Sequence, residues 1–190
     1  ALLSAAVGGG NFVTPLFGCA LDALLLFFSF RQKEKSRLGK LACFLLMLAA
    51  FVYSMTAPGN AVRGQTLSGG MSAVKAILES FYFGMALMSR YFSPALAALW
   101  LATVLLLRER LMQSRFSFRY PLLAVGVFVC LYCCQLTPTL YTGNYLGDGR
   151  AQVLQYDNYV LLSTALVVYL AGWALKRYGT GQVSRPPTRA

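Results

Sequence analysis

Long apolar blocks separated by short polar segments dominate the sequence. Five of these blocks are near the ~17–25 residues that a helix needs to cross about 30 Å of hydrocarbon. The pattern therefore predicts an all-α fold, a polytopic transmembrane helical bundle over residues 1–178, followed by a disordered cytoplasmic tail at residues 179–190. The predicted spans cover residues 12–30, 41–57, 88–107, 118–136 and 159–175.

The stretch before the third span carries a different pattern. Large apolar side chains recur at helical spacing over residues 71–87, with polar residues such as Lys75 and Glu79 between them. This pattern predicts an amphipathic helix that lies in the outer membrane interface. Because this helix and the third span together are too long for one untilted crossing, we expect a break at Ser93-Pro94. The large apolar residues are Met71, Val74, Leu78, Phe81, Met85 and Met88.

Composition narrows the class of protein. Apolar residues make up 57% of the chain and charged residues 12%, against about 45–50% and about 25% in soluble domains. These proportions exclude intrinsic disorder, a nucleic-acid-binding domain and an ordinary soluble enzyme. The partner that the composition does require is the lipid bilayer.

The net charge of +11 is explained by basic residues that set the orientation of the chain in the membrane. Thirteen of the 17 basic residues fall in the segments after the first, third and fifth spans. The positive-inside rule places these segments and the C-terminus in the cytoplasm and residues 58–73 and 137–158 outside. With five spans and a cytoplasmic C-terminus, Ala1 lies outside. We therefore expect this sequence to be the C-terminal part of a longer protein whose N-terminal half it lacks. The thirteen are Arg31, Lys33, Lys35, Arg37, Lys40, Arg108, Arg110, Arg115, Arg119, Lys176, Arg177, Arg185 and Arg189.

Two predicted outward segments carry candidate chemistry. In the first, Asn60 follows a Pro-Gly turn and Arg63 lies close to the outer surface, where a guanidinium can bind phosphate or carboxylate. In the second, Tyr141 lies near Asp148 and Arg150, which either pair or face a polar ligand. The structural alternatives are a turn with a headgroup-anchoring arginine and an aromatic belt at the membrane interface.

Outside these two segments, few residues are candidates for a functional role. Asp22 lies in the middle of the first span, so its carboxylate must face protein or a wet cavity, and both roles stay open. All five cysteines lie in apolar blocks and the chain has no histidine. We therefore expect no metal site and no cofactor, and we interpret Cys130, Cys133 and Cys134 as small apolar helix residues.

Three segments together resemble a bacterial family of polytopic membrane proteins. They are Gly-Gly-Asn-Phe-Val-Thr at residues 9–14, Ala-Pro-Gly-Asn-Ala-Val-Arg at 57–63, and Thr-Pro-Thr-Leu-Tyr at 137–141 followed by Gly149-Arg150. That family is similar to O-antigen glucosyltransferase-like and other GT-C-type membrane glycosyltransferases. The resemblance covers essentially the whole chain, as the C-terminal half of the family.

The resemblance implies an enzyme of the bacterial inner membrane that takes a sugar from a polyprenyl-phosphate donor at the outer face. The catalytic carboxylate of such enzymes lies in the first outward loop, which precedes this sequence, so the catalytic residues are unknown. Arg63 and Arg150 are then the expected phosphate ligands, with Asn60, Tyr141 and Asp148 around the same pocket.

Two other functions stay open. One is half of a transporter or flippase for an anionic lipid or glycan, which would use the same outward arginines. Two observations disfavour the transporter. Asp22 is the one acidic residue inside a predicted span, and no inverted repeat is evident. The other is a non-catalytic membrane scaffold. An acidic pair in the first outward loop of the longer protein would favour the transferase, and a repeat of this half would favour the transporter.

Overall fold

The computed structural model describes residues 13–31, 33, 36–56, 71–114, 116–143, 146 and 149–178. Over these residues the chain is helical and contains no strand, which confirms the predicted all-α class. The helices of this described part are α1 (Val13–Arg31), α2 (Arg37–Met55), α3 (Ala73–Tyr91), α4 (Pro94–Gln113), α5 (Pro121–Cys134), α6 (Thr137–Gly143) and α7 (Gly149–Tyr178).

Several of these helices are long and apolar enough to cross a membrane. Three stretches of the described chain qualify alone, namely Arg37–Ser54, Pro121–Gly143 and Ala151–Tyr178, and α3 with α4 qualifies as a bent pair. The apolar part of α1, Thr14–Phe30, is shorter. Helix length and composition therefore identify a membrane protein, and each predicted span overlaps one of these apolar stretches.

The junction of α3 and α4 is the break expected at Ser93-Pro94, and this prediction is confirmed. The two helices are bent by 83° relative to each other. Ser93 is the N-cap of α4, and its hydroxyl accepts a hydrogen bond from the Leu96 backbone N–H at 3.2 Å. Pro94 occupies the first helical position, where its missing N–H costs no hydrogen bond. The local sequence thus ends one helix and starts the next.

Helix α3 has one face of small residues and one of large residues. The small face, Ala76, Ser80 and Gly84, is buried and packs against α5 and α6. The large face points away from the rest of the described chain, so the stripe predicted from sequence makes little contact with protein. Only Met71 and Met88, at its two ends, are half-buried. The exposed residues are Val74, Ile77, Leu78, Phe81, Tyr82 and Met85.

Helices α4, α5 and α7 pack side by side with defined directions. The end of α7 lies near the end of α4, because Lys176 donates hydrogen bonds to the carbonyl groups of Ser114 and Phe116. Helix α5 runs antiparallel to α7, since the Tyr120 N–H meets the Tyr169 hydroxyl at 3.4 Å while Gln135 meets Asn158 near the other ends. The bundle therefore has a Lys176 end and an opposite end, formed by the start of α4, α6 and the start of α7.

The segment 137–158, predicted to be an outward loop, is largely helical in the described residues. Thr137–Gly143 forms α6, and α7 already begins at Gly149. Helix α7 has 30 residues, or roughly 45 Å at 1.5 Å per residue, about 15 Å more than the hydrocarbon thickness. Good helix formers such as Ala151, Gln152 and Leu154 continue the spanning helix into this segment.

Candidate functional site

The structure describes only part of the site predicted from sequence. Asn60, Arg63 and Asp148 lie outside the described residues. Arg150 is the second residue of α7, and its side chain is outside the described atoms. Tyr141 lies on α6 and is 48% exposed. The convergence of Arg63 and Arg150 on one pocket therefore stays a prediction.

Asp22 is half-buried on α1. The neighbouring positions on its helix face, Gly18 and Leu26, both point toward protein. Leu26 is buried, and a Cβ added at Gly18 would meet the Met47 sulfur of α2 at 2.9 Å. Asp22 thus lies beside the α1–α2 contact, and the expectation that its carboxylate faces protein or a wet cavity stays a prediction.

The most unusual chemistry of the described chain is a set of uncharged polar side chains, which we call the polar cluster. It consists of the buried Tyr132, Gln135 and Gln155 and the half-buried Asn158. The Asn158 amide donates to the Gln135 side-chain oxygen at 2.8 Å, and this bond joins the end of α5 to α7. The Gln155 amide donates to the Leu146 carbonyl at 2.7 Å. The cluster therefore fastens Leu146, between α6 and α7, to the bundle.

Aromatic rings surround the polar cluster. The Tyr132 ring lies 5.6 Å from the Tyr159 ring and 6.4 Å from the Phe128 ring. Tyr91, at the end of α3, packs on Tyr159 at 5.8 Å and on Tyr156 at 5.3 Å between ring centroids. Flat rings with hydroxyl groups thus form the wall of a site whose interior groups are amides.

Three members of the polar cluster keep an unused hydrogen-bonding atom. Tyr132, Gln135 and Gln155 are each 0% exposed, yet the Tyr132 hydroxyl, Gln135 Nε2 and Gln155 Oε1 have no partner. Burying an unpaired polar group costs about 1–3 kcal/mol, and native proteins pair nearly all of them with protein, water or ligand. In the described chain the other such atoms are Trp100 Nε1 and Thr164 Oγ1. The cluster therefore holds more than half of the unpaired buried polar atoms.

The Lys176 end of the bundle carries charged side chains, whereas the polar cluster is uncharged. Besides its two carbonyl partners, the Lys176 ammonium lies 5.4 Å from the centre of the Phe118 ring. Phe118 packs in turn on Tyr169, with 5.2 Å between centroids. Arg177 stacks on Trp173 at 5.5 Å. The sequence predicts that the basic residues after α4 and at the end of α7 lie on one side of the membrane. In the structure these two groups lie at the same end of the bundle.

Sequence reasoning missed the polar cluster. Gln135 stood at the end of a predicted span, and Gln155 and Asn158 stood in a predicted loop, where amides are ordinary. The available signal was the pair Gln155 and Asn158, three residues apart at the start of an apolar helix and hence on one face.

No group of three or more cysteine or carboxylate side chains in the described ranges is placed to hold a metal ion. Cys130 is exposed, whereas Cys133 is buried against α3. Comparisons with protein-family models, with curated proteins and with solved structures find no match to this chain.

Proposed function

We propose that this chain is the C-terminal part of a GT-C-like integral membrane glycosyltransferase. It uses a polyprenyl-phosphate sugar donor at the outer face of the bacterial inner membrane. The proposal rests on the resemblance carried by residues 57–63 and 137–150. One structural observation supports it: the buried polar cluster lies at the end of the bundle that includes α6 and the start of α7, and therefore Tyr141 and Arg150.

The topology belongs to the same proposal. The chain has five spans with a cytoplasmic C-terminus, and α3 lies in the outer interface. Its support is the shared Lys176 end, which collects the basic residues after α4 and in the last turn of α7. The exposed large apolar face of α3 is suited to the boundary between headgroups and acyl chains.

Impermeant maleimide labelling of single cysteines tests this topology in intact cells. Thr142→Cys at the α6 end should be labelled, and Gln113→Cys at the Lys176 end should react only after permeabilisation, because both side chains are exposed. The background carries Cys130→Ala, which removes the exposed native thiol. The reverse labelling pattern would contradict the proposed orientation.

Transfer by the full-length protein tests the activity. It is reconstituted in vesicles with polyprenyl-phosphate glucose, galactose or mannose and an envelope lipid extract as acceptor. Arg63→Ala and Arg150→Ala should each lower transfer about 100-fold or more while expression stays normal, since cationic clamps stabilise the charge that develops on a phosphate leaving group. Arg108→Ala is the matched control, because Arg108 is an exposed arginine near the opposite end of α4.

Other outcomes would replace the proposal. Unchanged transfer in both arginine variants would remove the phosphate clamp. Movement of a lipid-linked glycan across the vesicle membrane without transfer would establish a transporter. A full-length protein that neither transfers nor moves these donors would leave a scaffold role.

A further inference from the structure

We propose that the Lys176 end of the bundle binds the phosphate group of an anionic phospholipid, and that Arg177 is the residue that holds it. The occupant is a lipid of the surrounding bilayer, which the apolar helices already require. The site goes beyond the proposed function, because binding of a membrane lipid here does not depend on a sugar donor.

Two neighbouring cations at the end of α7 have different surroundings. Lys176 is half-buried, and its ammonium donates to the backbone carbonyls of Ser114 and Phe116. Arg177 is exposed, and the described contacts of its guanidinium are with two aromatic rings. A ring that stacks on the face of a guanidinium leaves the N–H groups at its edge open to an acceptor. Lys176 therefore fastens the fold, whereas Arg177 has donors to offer a ligand.

The two rings hold the Arg177 guanidinium in place. Its carbon lies 5.5 Å from the centre of the Trp173 ring, one turn earlier on α7, and 5.9 Å from the centre of the Tyr178 ring. The centres of these two rings are 6.1 Å apart. A guanidinium that is positioned in advance loses less side-chain freedom when two of its N–H groups bind a phosphate. The stack therefore prepares Arg177 for a bidentate contact.

The charge around Arg177 favours an anion. Basic residues outnumber acidic ones among the exposed charged side chains described at the end of α4 and in the connector after it, which are Arg108, Glu109, Arg110 and Arg119. Each basic residue near a membrane surface strengthens the binding of anionic lipid by about fivefold. A zwitterionic headgroup carries a cation of its own, which these basic residues repel. The surface therefore selects an anionic phospholipid.

The position of Arg177 along α7 fits a lipid. Residues Ala151–Tyr178 are long and apolar enough to cross a membrane, and Arg177 lies in the last turn of this helix. Indole rings such as that of Trp173 concentrate at the level of the headgroups. The half-buried Leu170 and Leu166 lie one and two turns before Trp173 on the same helix face. A phosphate at Arg177 therefore directs the acyl chains of its lipid along Trp173 and these leucines.

Quenching of Trp173 fluorescence by brominated lipids tests the site. The 190-residue chain has two tryptophans, so Trp100→Phe leaves Trp173 as the reporter. The chain is reconstituted in phosphatidylcholine vesicles that contain brominated phosphatidylglycerol or, at the same fraction, brominated phosphatidylcholine. The phosphatidylglycerol should bind beside Trp173 about fivefold more tightly or better, and Arg177→Gln should lower this preference about fivefold.

Arg90→Gln is the matched control. Arg90 is an exposed arginine in the last turn of α3, near the start of α4 and hence at the opposite end of the bundle. Its replacement should leave the preference at Trp173 unchanged. Native mass spectrometry makes the same comparison without Trp100→Phe, and Arg177→Gln should retain less phosphatidylglycerol than the wild type and Arg90→Gln.

Three results would overturn the inference. Equal quenching by the two brominated lipids would show that no anionic lipid is selected at this end. A preference that survives Arg177→Gln would assign the lipid to the general surface charge and not to the stacked arginine. Loss of the preference on addition of inorganic phosphate, but not of sodium chloride at the same ionic strength, would replace the lipid with a soluble phosphate.

Discussion

Replacing Gly84 by alanine tests how closely α3 packs against α5. A Cβ built at Gly84 lies 2.5 Å from the Cys133 sulfur and 3.5 Å from Cys133 Cβ. Ordinary contacts between carbon atoms are about 3.5–4.0 Å, so the helices must separate locally by roughly 1 Å. Cys133 is 0% exposed and its short side chain has little room to move. The new methyl group therefore strains the interface.

The magnitude follows from two opposing effects. Alanine favours a helix over glycine by about 1 kcal/mol, whereas overpacking a tight contact costs about 1–3 kcal/mol. Gly126→Ala on α5 isolates the first effect, because nothing lies within 4 Å of a Cβ built there. We expect the free energy of unfolding of Gly84→Ala to be about 1–3 kcal/mol below that of Gly126→Ala.

Equilibrium unfolding in mixed micelles, followed by circular dichroism as the fraction of dodecyl sulfate rises, measures the difference. Cys133→Ala removes the sulfur, so in that background Gly84→Ala should lose most of its additional penalty. Equal stability of the two alanine variants in the native background would refute the close packing of α3 on α5. A full penalty in the Cys133→Ala background would show that the strain arises elsewhere.

Three further changes test other contacts in the same unfolding assay. Lys176→Met should lower stability by about 1–3 kcal/mol, because it removes two charged hydrogen bonds to the carbonyl groups of the α4–α5 connector; wild-type stability would contradict this clasp. Ser93→Ala removes the N-cap of α4 and should cost about 1 kcal/mol, whereas Ser89→Ala, at an exposed serine of α3, should cost less. Gly172→Ala places a Cβ 2.6 Å from the Phe118 ring and should cost about 1–3 kcal/mol, a loss that Phe118→Ala should reduce when the two are combined.

Features set by local sequence were predictable. The α3–α4 break follows from Ser93 and Pro94 alone, since one caps a helix and the other cannot continue one. The end shared by the basic residues after α4 and in the last turn of α7 followed from their spacing along the chain. Consecutive spans cross in opposite directions, so every second polar segment lies on the same side. The helical extent of residues 149–158 was missed, because the three glycines and the proline of residues 137–150 favour a turn more strongly than the following residues favour a helix.

The polar cluster could not be predicted in the same way. The hydrogen bond from Asn158 to Gln135 joins residues 23 apart in sequence, and the bond from Gln155 to Leu146 depends on the path of a connector. Neither amide is unusual for its segment, because Gln135 borders an apolar block and Gln155 follows a glycine-rich one. Both side chains are buried because α5 and α7 pack together. The apolar periodicity of a single helix does not predict that packing.

Helix α3 shows why an apolar stripe has a different meaning in a membrane. In a soluble protein the large apolar face of a helix is buried and drives packing. Here Val74 and Leu78 on that face are 70% and 67% exposed, whereas Ala76 and Ser80 are 0% and 1% exposed. Lipid solvates large apolar side chains as well as protein does, so close approach of backbones decides the contact, and small residues provide it. The stripe predicted from sequence is therefore the face of α3 that stays exposed in the described chain, and the small residues between the large ones mark its contact with α5 and α6.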